Sequence, residues 1–199
     1  MMLKQIVALS GPRCCGKSTI AQHLVVNHGY TRIAFADALR EIAETAGPDF
    51  ANDRLYLARL GDKLRSQVPD FLIQAVKNRL ELTSGPVVIE DIRFPAEVEF
   101  CQSIGATTIR LEIPIETQRE RLAKRDGKMG HESELLIACI DEHALDDVID
   151  WDYRIPAIGD FRELALTIHT GISQSNIIQA NIQDRLKNTY SSKGVRVYE

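Results

Sequence analysis

Gly11-Pro12-Arg13-Cys14-Cys15-Gly16-Lys17-Ser18 constrains this chain more than any other stretch. It matches G-x-x-x-x-G-K-[ST] and stands between Gln5 to Leu9, with the pattern of a buried strand, and a helical pattern carried by Ile20, Ala21, Leu24 and Val25. A strand, a tight glycine turn and a helix N-terminus form a cradle in which consecutive N–H groups converge on a phosphate. Gly11, Arg13, Cys14, Cys15, Gly16, Lys17, Ser18 and Thr19 are therefore the expected nucleotide-binding residues. Lys17 would neutralise the β and γ phosphates, and Ser18 would ligate Mg²⁺. Cys14 and Cys15 occupy variable positions where the backbone amide matters; redox sensing is the rival reading.

The rest of the chain repeats the strand-then-helix pattern. Thr31 to Phe35 reads as a second strand, with Asp37 as a candidate N-cap for a helix through Leu39, Ile42 and Ala43 that closes at Gly47-Pro48. Residues 52–82 are mainly helical, broken near Pro69. Val87-Val88-Ile89 is a third strand running into Glu90-Asp91, and Pro95 opens a helix that ends near Gly105. Thr107 to Ile113 and Trp151 to Ile155 are the remaining strands, with helices over Glu116 to Lys124 and Phe161 to Ile168. Such alternation implies a mostly parallel sheet covered on both faces, with its ligand site at the strand carboxyl ends. The boundaries expected are a domain over 1–170, with a helical insertion at 52–83 and a lid at 119–132. The Ser-, Asn- and Gln-rich remainder, 171–199, reads as a docking helix or a loose tail.

With 199 residues and 22.3 kDa, one domain accounts for the chain. Hydrophobic residues at 44% and charged residues at 26% are the balance of a packed globular protein. Apolar runs fall short of the roughly 18 residues that cross a bilayer. Met1-Met2-Leu3-Lys4 lacks a signal-peptide pattern, so a cytoplasmic setting is expected. A net charge of -4 argues against stable nucleic-acid or anionic-membrane binding. Cys14, Cys15, Cys101 and Cys139 show no C-x-x-C spacing, which points to reduced thiols rather than zinc or disulfides.

Asp91 stands where a strand-end carboxylate would hold the Mg²⁺ shell or orient an acceptor; a plain strand-end acid is the alternative for it and for Glu90. Asp37 either caps its helix or accepts a hydrogen bond from the acceptor. Two phosphates brought together require cations that do not titrate and can bind oxygens in pairs, the chemistry of guanidinium. Arg40, Arg65 and Arg93 are the candidates. Arg119, Arg121, Lys124, Arg125 and Lys128 form a basic run, either a solvated helix face or a lid that folds Arg121 and Arg125 over the transferring group, with Gly127 and Gly130 as hinges. In His131-Glu132-Ser133-Glu134, Ser133 or Glu134 is read as the cap of the next helix.

Across residues 3 to about 169 the chain resembles the deoxynucleoside monophosphate kinases of tailed phages and, more distantly, the animal-type phosphomevalonate kinases. The resemblance rests on Gly11 to Thr19; Phe35 to Arg40; Leu60 to Arg65 with Pro69-Asp70-Phe71; Glu90-Asp91-Ile92-Arg93 with Glu97 and Ile104-Gly105-Ala106; and His131 to Glu134. It implies a three-layer P-loop NTPase fold with a core five-stranded parallel sheet, a helical acceptor-binding insertion and a short lid. It also implies ATP and Mg²⁺ on the donor side and a phosphomonoester acceptor held by Arg40, Arg65 and Arg93. Asp37 is instead similar to the aspartate of dephospho-coenzyme A kinases, which activates a hydroxyl.

The expected activity is ATP-dependent phosphorylation of a (deoxy)nucleoside monophosphate, with Lys17, Asp37, Asp91, Arg121 and Arg125 at the chemistry and small nucleotides as partners. A homodimer is compatible with the chain. The alternatives are a kinase of a hydroxyl or non-nucleotide phosphate, and a nucleotide-binding regulator without turnover. No N-K-x-D base-reading motif appears, which favours ATP over GTP.

Overall fold

Along β1 (Ile6–Ser10), Ile6 and Ala8 enter one apolar layer and Val7 and Leu9 the other. This is the two-residue period of a strand covered on both faces. The computed structural model describes residues 5–126, 131–148 and 150–173. The chain continues through α1 (Lys17–His28), β2 (Thr31–Ala34), α2 (Phe35–Glu44), α3 (Pro48–Asn52), α4 (Arg54–Gln67), α5 (Phe71–Leu82) and β3 (Val87–Ile92). It is completed by α6 (Pro95–Ser103), β4 (Thr107–Glu112), α7 (Ile115–Asp126), α8 (His131–Ile137), α9 (Ile140–His143), β5 (Tyr153–Pro156) and α10 (Phe161–Ser173).

The sheet runs β2-β3-β1-β4-β5, and every neighbouring pair is parallel. Val87 lies opposite both Ile6 and Thr31, and Val7 opposite Thr107, so β1 and β3 are central. On one face Ile6, Ile33, Val87 and Ile89 pack with Phe35, Leu39, Leu72 and Val76 from the helices that follow β2. On the other, Val7, Leu9, Val88 and Leu111 pack against α1 and α10 through Ile20, Leu24, Leu164 and Ile168. Each fully buried Leu, Ile or Phe side chain here contributes about 1.5–3 kcal/mol, which outweighs the exposed ion pairs of the surface. The three-layer α/β architecture with five parallel strands is as expected. From β1 the chain passes first to strands on one side of it (β2, β3) and then crosses to the other (β4, β5), so the winding switches beside β1 and the carboxyl ends of β1 and β3 open onto a crevice.

Local boundaries follow from named residues. Gly29, in the left-handed region, ends α1 by donating its N–H to the Val25 carbonyl. Asp53 caps α4 by accepting the N–H groups of Leu55 and Tyr56, each at 2.9 Å. Pro95 occupies the first turn of α6.

Four details differ from the sequence expectation. Asp37 is not an N-cap: α2 begins at Phe35, and Asp37 at its third position reaches back to accept the Ala34 N–H at 3.1 Å. Ser133 and Glu134 do not cap a helix either, because α8 is already helical at His131. The short helices α3 and α9 were not foreseen; five and four residues are too few to show a period. Helix α10 runs on through Ser173, past Ile168. The Met1 to Lys4 start, the expected hinges Gly127 and Gly130 with Lys128, and the tail from 174 lie outside the described residues. Among those described, no helix is long and apolar enough to cross a membrane.

Candidate functional site

The phosphate loop links β1 to α1 around two glycines that tolerate no side chain. A Cβ on Gly11 (φ 143°) would stand 2.5 Å from the Leu111 carbonyl oxygen, and one on Gly16 (φ 103°) 2.5 Å from the Phe161 ring. Cys14 also adopts a left-handed conformation, φ 61°, which costs about 1–3 kcal/mol in a residue with a Cβ. Lys17 is buried and donates to the Gly11 and Pro12 carbonyls at 2.8 and 2.9 Å, so its ammonium lies within the loop. Ser18 and Thr19 are exposed at the mouth, while Cys15 is fully buried. All four cysteines are free.

At the end of β3 two neighbouring carboxylates have different surroundings. Glu90 is fully buried and ion-paired through Oε1 to Arg32; its Oε2 has no hydrogen-bond partner among the described residues. Burial and Asp91 push Glu90 up in pKa, opposed by Arg32 and the Ser18 hydroxyl. Asp91, at φ 63°, lies 3.9 Å from Arg40 Nη2 and 3.8 Å from Arg93 Nη2. Burial opposes its ionisation, but Arg93, Lys17, Arg40 and Arg32 outweigh burial and hold its pKa below the ordinary value. Asp91 is therefore the more readily ionised of the two.

The arginines singled out in the sequence converge on one cleft of about 510 Å³. Lys17, Ser18, Arg40, Arg65, Arg93 and Asp91 all line it, and so do Arg121 and Arg125, one helical turn apart on α7. None of the first three arginines projects as a lone charge. Arg40 pairs with Asp37 at 3.0 Å, Arg65 with Glu97 at 2.8 Å and Arg93 with Glu142 at 2.9 Å. Arg121 donates to the Cys14 and Ala157 carbonyls, each at 3.2 Å, which ties α7 to the phosphate loop. The basic run divides by helical spacing: Arg119 pairs with Glu134 away from the cleft, and Lys124 is exposed. Arg13 turns from the loop mouth toward α8 and α9, where it meets Asp141 at 2.7 Å and Glu142 at 2.6 Å. The remaining wall is apolar, formed by Phe35, Ala36, Leu39, Leu57, Ala58 and Leu72.

The cradle, its lysine and the strand-end acids occur on a chain whose residues 7–137 match the family model described as AAA domain. The chain belongs to the AAA domain family. The AAA-domain stretch runs from β1 through α8; α9, β5 and α10 lie beyond it. The chain is similar to an adenylate kinase of Malacoplasma penetrans (strain HF-2), 29% identical over 126 residues. That match covers 61% of this chain and 56% of the relative, little more than half of its length. Among solved structures, shikimate kinase from Acinetobacter baumannii in complex with shikimate superimposes with a TM-score of 0.54 at 18% identity, covering 87% of this chain and 95% of that one. TT1252 from Thermus thermophilus gives 0.54 at 20% identity over 86% and 97%. Shikimate kinase from Aquifex aeolicus vf5 gives 0.51 at 15% over 87% and 99%. The fold is that of the P-loop kinases.

Sequence reasoning missed Arg32, Gln118, Asp141 and Glu142, and gave Glu97 no role. Arg32 and Gln118 sit in ordinary strand and helix patterns. Asp141 and Glu142 follow no motif, and only the fold carries α9 to the phosphate loop.

Proposed function

We propose that this protein transfers the γ-phosphoryl group of ATP to a nucleoside monophosphate, a deoxynucleotide in the closest reading, to give the diphosphate and ADP. One observation carries the reading: the cleft that begins at the phosphate loop ends in a wall combining Arg40, Arg65 and Arg93 with the apolar surface of Phe35, Leu39, Leu57 and Leu72. Guanidiniums suit an acceptor phosphate. An apolar wall suits the face of a base. A polyol acceptor would bury hydroxyls against it without partners, at a cost of about 1–3 kcal/mol each.

Asp37 favours a phosphate acceptor over a hydroxyl one. Its oxygens already accept from Arg32, Arg40 and the Ala34 N–H at 3.0 to 3.2 Å, and a carboxylate so occupied is a poor general base. A phosphate oxygen is anionic already and needs none. Its attack on the γ-phosphorus forms one P–O bond as the bond to the β–γ bridging oxygen breaks, and ADP leaves with that oxygen.

Mg²⁺ fits between Ser18 and the strand-end acids, because Ser18 is exposed, Asp91 is ionised and Glu90 has an unpartnered Oε2. When bound, the ion would neutralise charge on the β and γ phosphates. Lys17 binds the same phosphates once it exchanges its loop carbonyls for them, and Arg121 and Arg125 close the cleft from α7. Donor ATP, the 52–83 acceptor region, the 119–132 lid and a cytoplasmic small-molecule role belong to the same reading. The deciding experiment incubates the full chain with Mg-ATP and each common ribo- and deoxynucleoside monophosphate. Diphosphate from at least one is expected; ATP binding with no product from any would overturn the proposal.

A further inference from the structure

Glu142 of α9, outside the AAA-domain stretch, is bonded to three separate parts of the site. Its Oε1 accepts the backbone N–H of Arg13 at 2.5 Å and a side-chain N–H of Gln118 on α7. Its Oε2 accepts Arg13 Nη1 at 2.6 Å and Arg93 Nη1 at 2.9 Å. A carboxylate offers about four lone-pair sites, and all four are taken by donors from the phosphate loop, α7 and the β3–α6 connection. The side chain is 3% exposed. Burial opposes its ionisation, but Arg93 and Arg13 outweigh burial, so Glu142 stays charged at neutral pH.

We propose that Glu142 is a positioning residue that joins the donor and acceptor halves of the site, holding the Arg13 peptide of the phosphate loop and the Arg93 guanidinium in one register. This rests on the phosphoryl-transfer reading. With no free lone pair, Glu142 binds neither substrate nor metal and acts through its partners. Arg93 keeps its remaining N–H groups for the acceptor because Glu142 and Asp91 fix the plane of its guanidinium. Arg13 is likewise clamped, by Asp141 and the Leu136 carbonyl in addition to Glu142. Helix α9 is thereby fastened to both the phosphate loop and the β3–α6 connection.

Glu142→Gln separates positioning from mere proximity by the sign of its effect. Removing a negative charge beside bound phosphates would, by itself, tighten them. Positioning predicts the reverse: the amide NH₂ must face donors, Arg93 and the Arg13 peptide lose their shared anchor, and the acceptor KM rises. The measurements are amide hydrogen exchange on the full chain, and steady-state kinetics with Mg-ATP and dTMP, dGMP, dCMP and dAMP. For E142Q we expect exchange of the 10–19 segment to accelerate about tenfold with β3 and β4 unchanged, and the KM of the accepted monophosphate to rise about tenfold. Unchanged loop exchange, or a lower acceptor KM, would overturn the assignment. If E142Q does not fold, Glu142→Asp decides: it keeps the charge but is one methylene short, and wild-type exchange in the loop would overturn the assignment equally. Wild-type protein that makes no diphosphate would sink the proposed reaction and leave the exchange result to judge Glu142.

Discussion

Arg65 on α4 donates through Nη2 to Glu97 on α6 at 2.8 Å, while the second oxygen of Glu97 accepts the backbone N–H of Arg93 at 2.7 Å. One buried carboxylate thus orients the guanidinium of one cleft arginine and the peptide of another. The Phe94 ring, 3.9 Å from the Arg65 guanidinium, completes the support. Glu97→Gln keeps one acceptor oxygen and loses the charge. The expected cost is about 1–3 kcal/mol of stability in urea titrations, with a rise in acceptor KM and an unchanged KM for ATP. Equal weakening of both substrates would show that Glu97 supports the whole fold rather than the acceptor end.

Gly61 makes room for that pair. A Cβ there would lie 2.9 Å from Arg65 Nη1 and 3.2 Å from Leu39 Cδ1. In Gly61→Ala the gain in helix propensity, about 1 kcal/mol, offsets the strain, because a flexible guanidinium can move. Thermal stability should stay near wild type while acceptor KM rises. An unaltered KM would mean that the Arg65 position seen here does not matter to the acceptor.

Asp37→Asn distinguishes the two acceptor chemistries. If Asp37 serves only to hold Arg40 and accept the Ala34 N–H, kcat should fall by less than about tenfold and KM should carry the loss. A hydroxyl acceptor that relied on Asp37 as base would lose about 10²–10⁴ in kcat. The measurement is a full velocity curve in acceptor at saturating Mg-ATP.

The placement of these residues explains what could be read from the sequence. The phosphate loop, the succession of apolar strands along the chain and the arginines that line the cleft were legible because local patterns carry them: a fixed spacing, apolar runs, an arginine after a strand or in the helical insertion. The place of Asp91 at the end of a buried run was legible for the same reason. Its left-handed backbone was not, and neither were the opposite pKa shifts of Glu90 and Asp91, which depend on Arg32, Arg40 and Arg93 arriving from three different parts of the fold. Glu142 was invisible because α9 is one turn long and its four donors lie at positions 13, 93 and 118. The pairing of Arg65 with Glu97 and of Arg93 with Glu142 also escaped notice, for ion pairs separated by 32 or 49 positions leave no periodic trace.

Lys17→Ala tests the donor end. The ammonium is buried and held by the Gly11 and Pro12 carbonyls, and alanine puts no cation in its place. Turnover should drop by at least about 10²-fold, with circular dichroism unchanged. A rate near wild type would count against the phosphate role of the loop.

His143 supplies a pH dependence whose sign can be worked out. Nδ1 lies 2.9 Å from Asp146 Oδ2 and Nε2 lies 2.8 Å from the Ile137 carbonyl. Both partners are acceptors, so both bonds require both ring nitrogens to carry hydrogen, which only the imidazolium does. The Asp146 hydrogen bond is the main reason its pKa is raised above 6.5; burial opposes it, and the Ile137 carbonyl and the charges of Asp146 and Glu142 add to the rise. A raised histidine stabilises fully below its unfolded pKa and loses that contribution as pH rises through the folded value. The fixation of α9 should therefore be tighter at pH 6 than at pH 8. Solvent screens this half-exposed pair, so the effect should be small: slower amide exchange over residues 140–148 at pH 6, after correction for the intrinsic rate, and no such difference in His143→Gln. The same pH dependence persisting in that variant would assign it to another group.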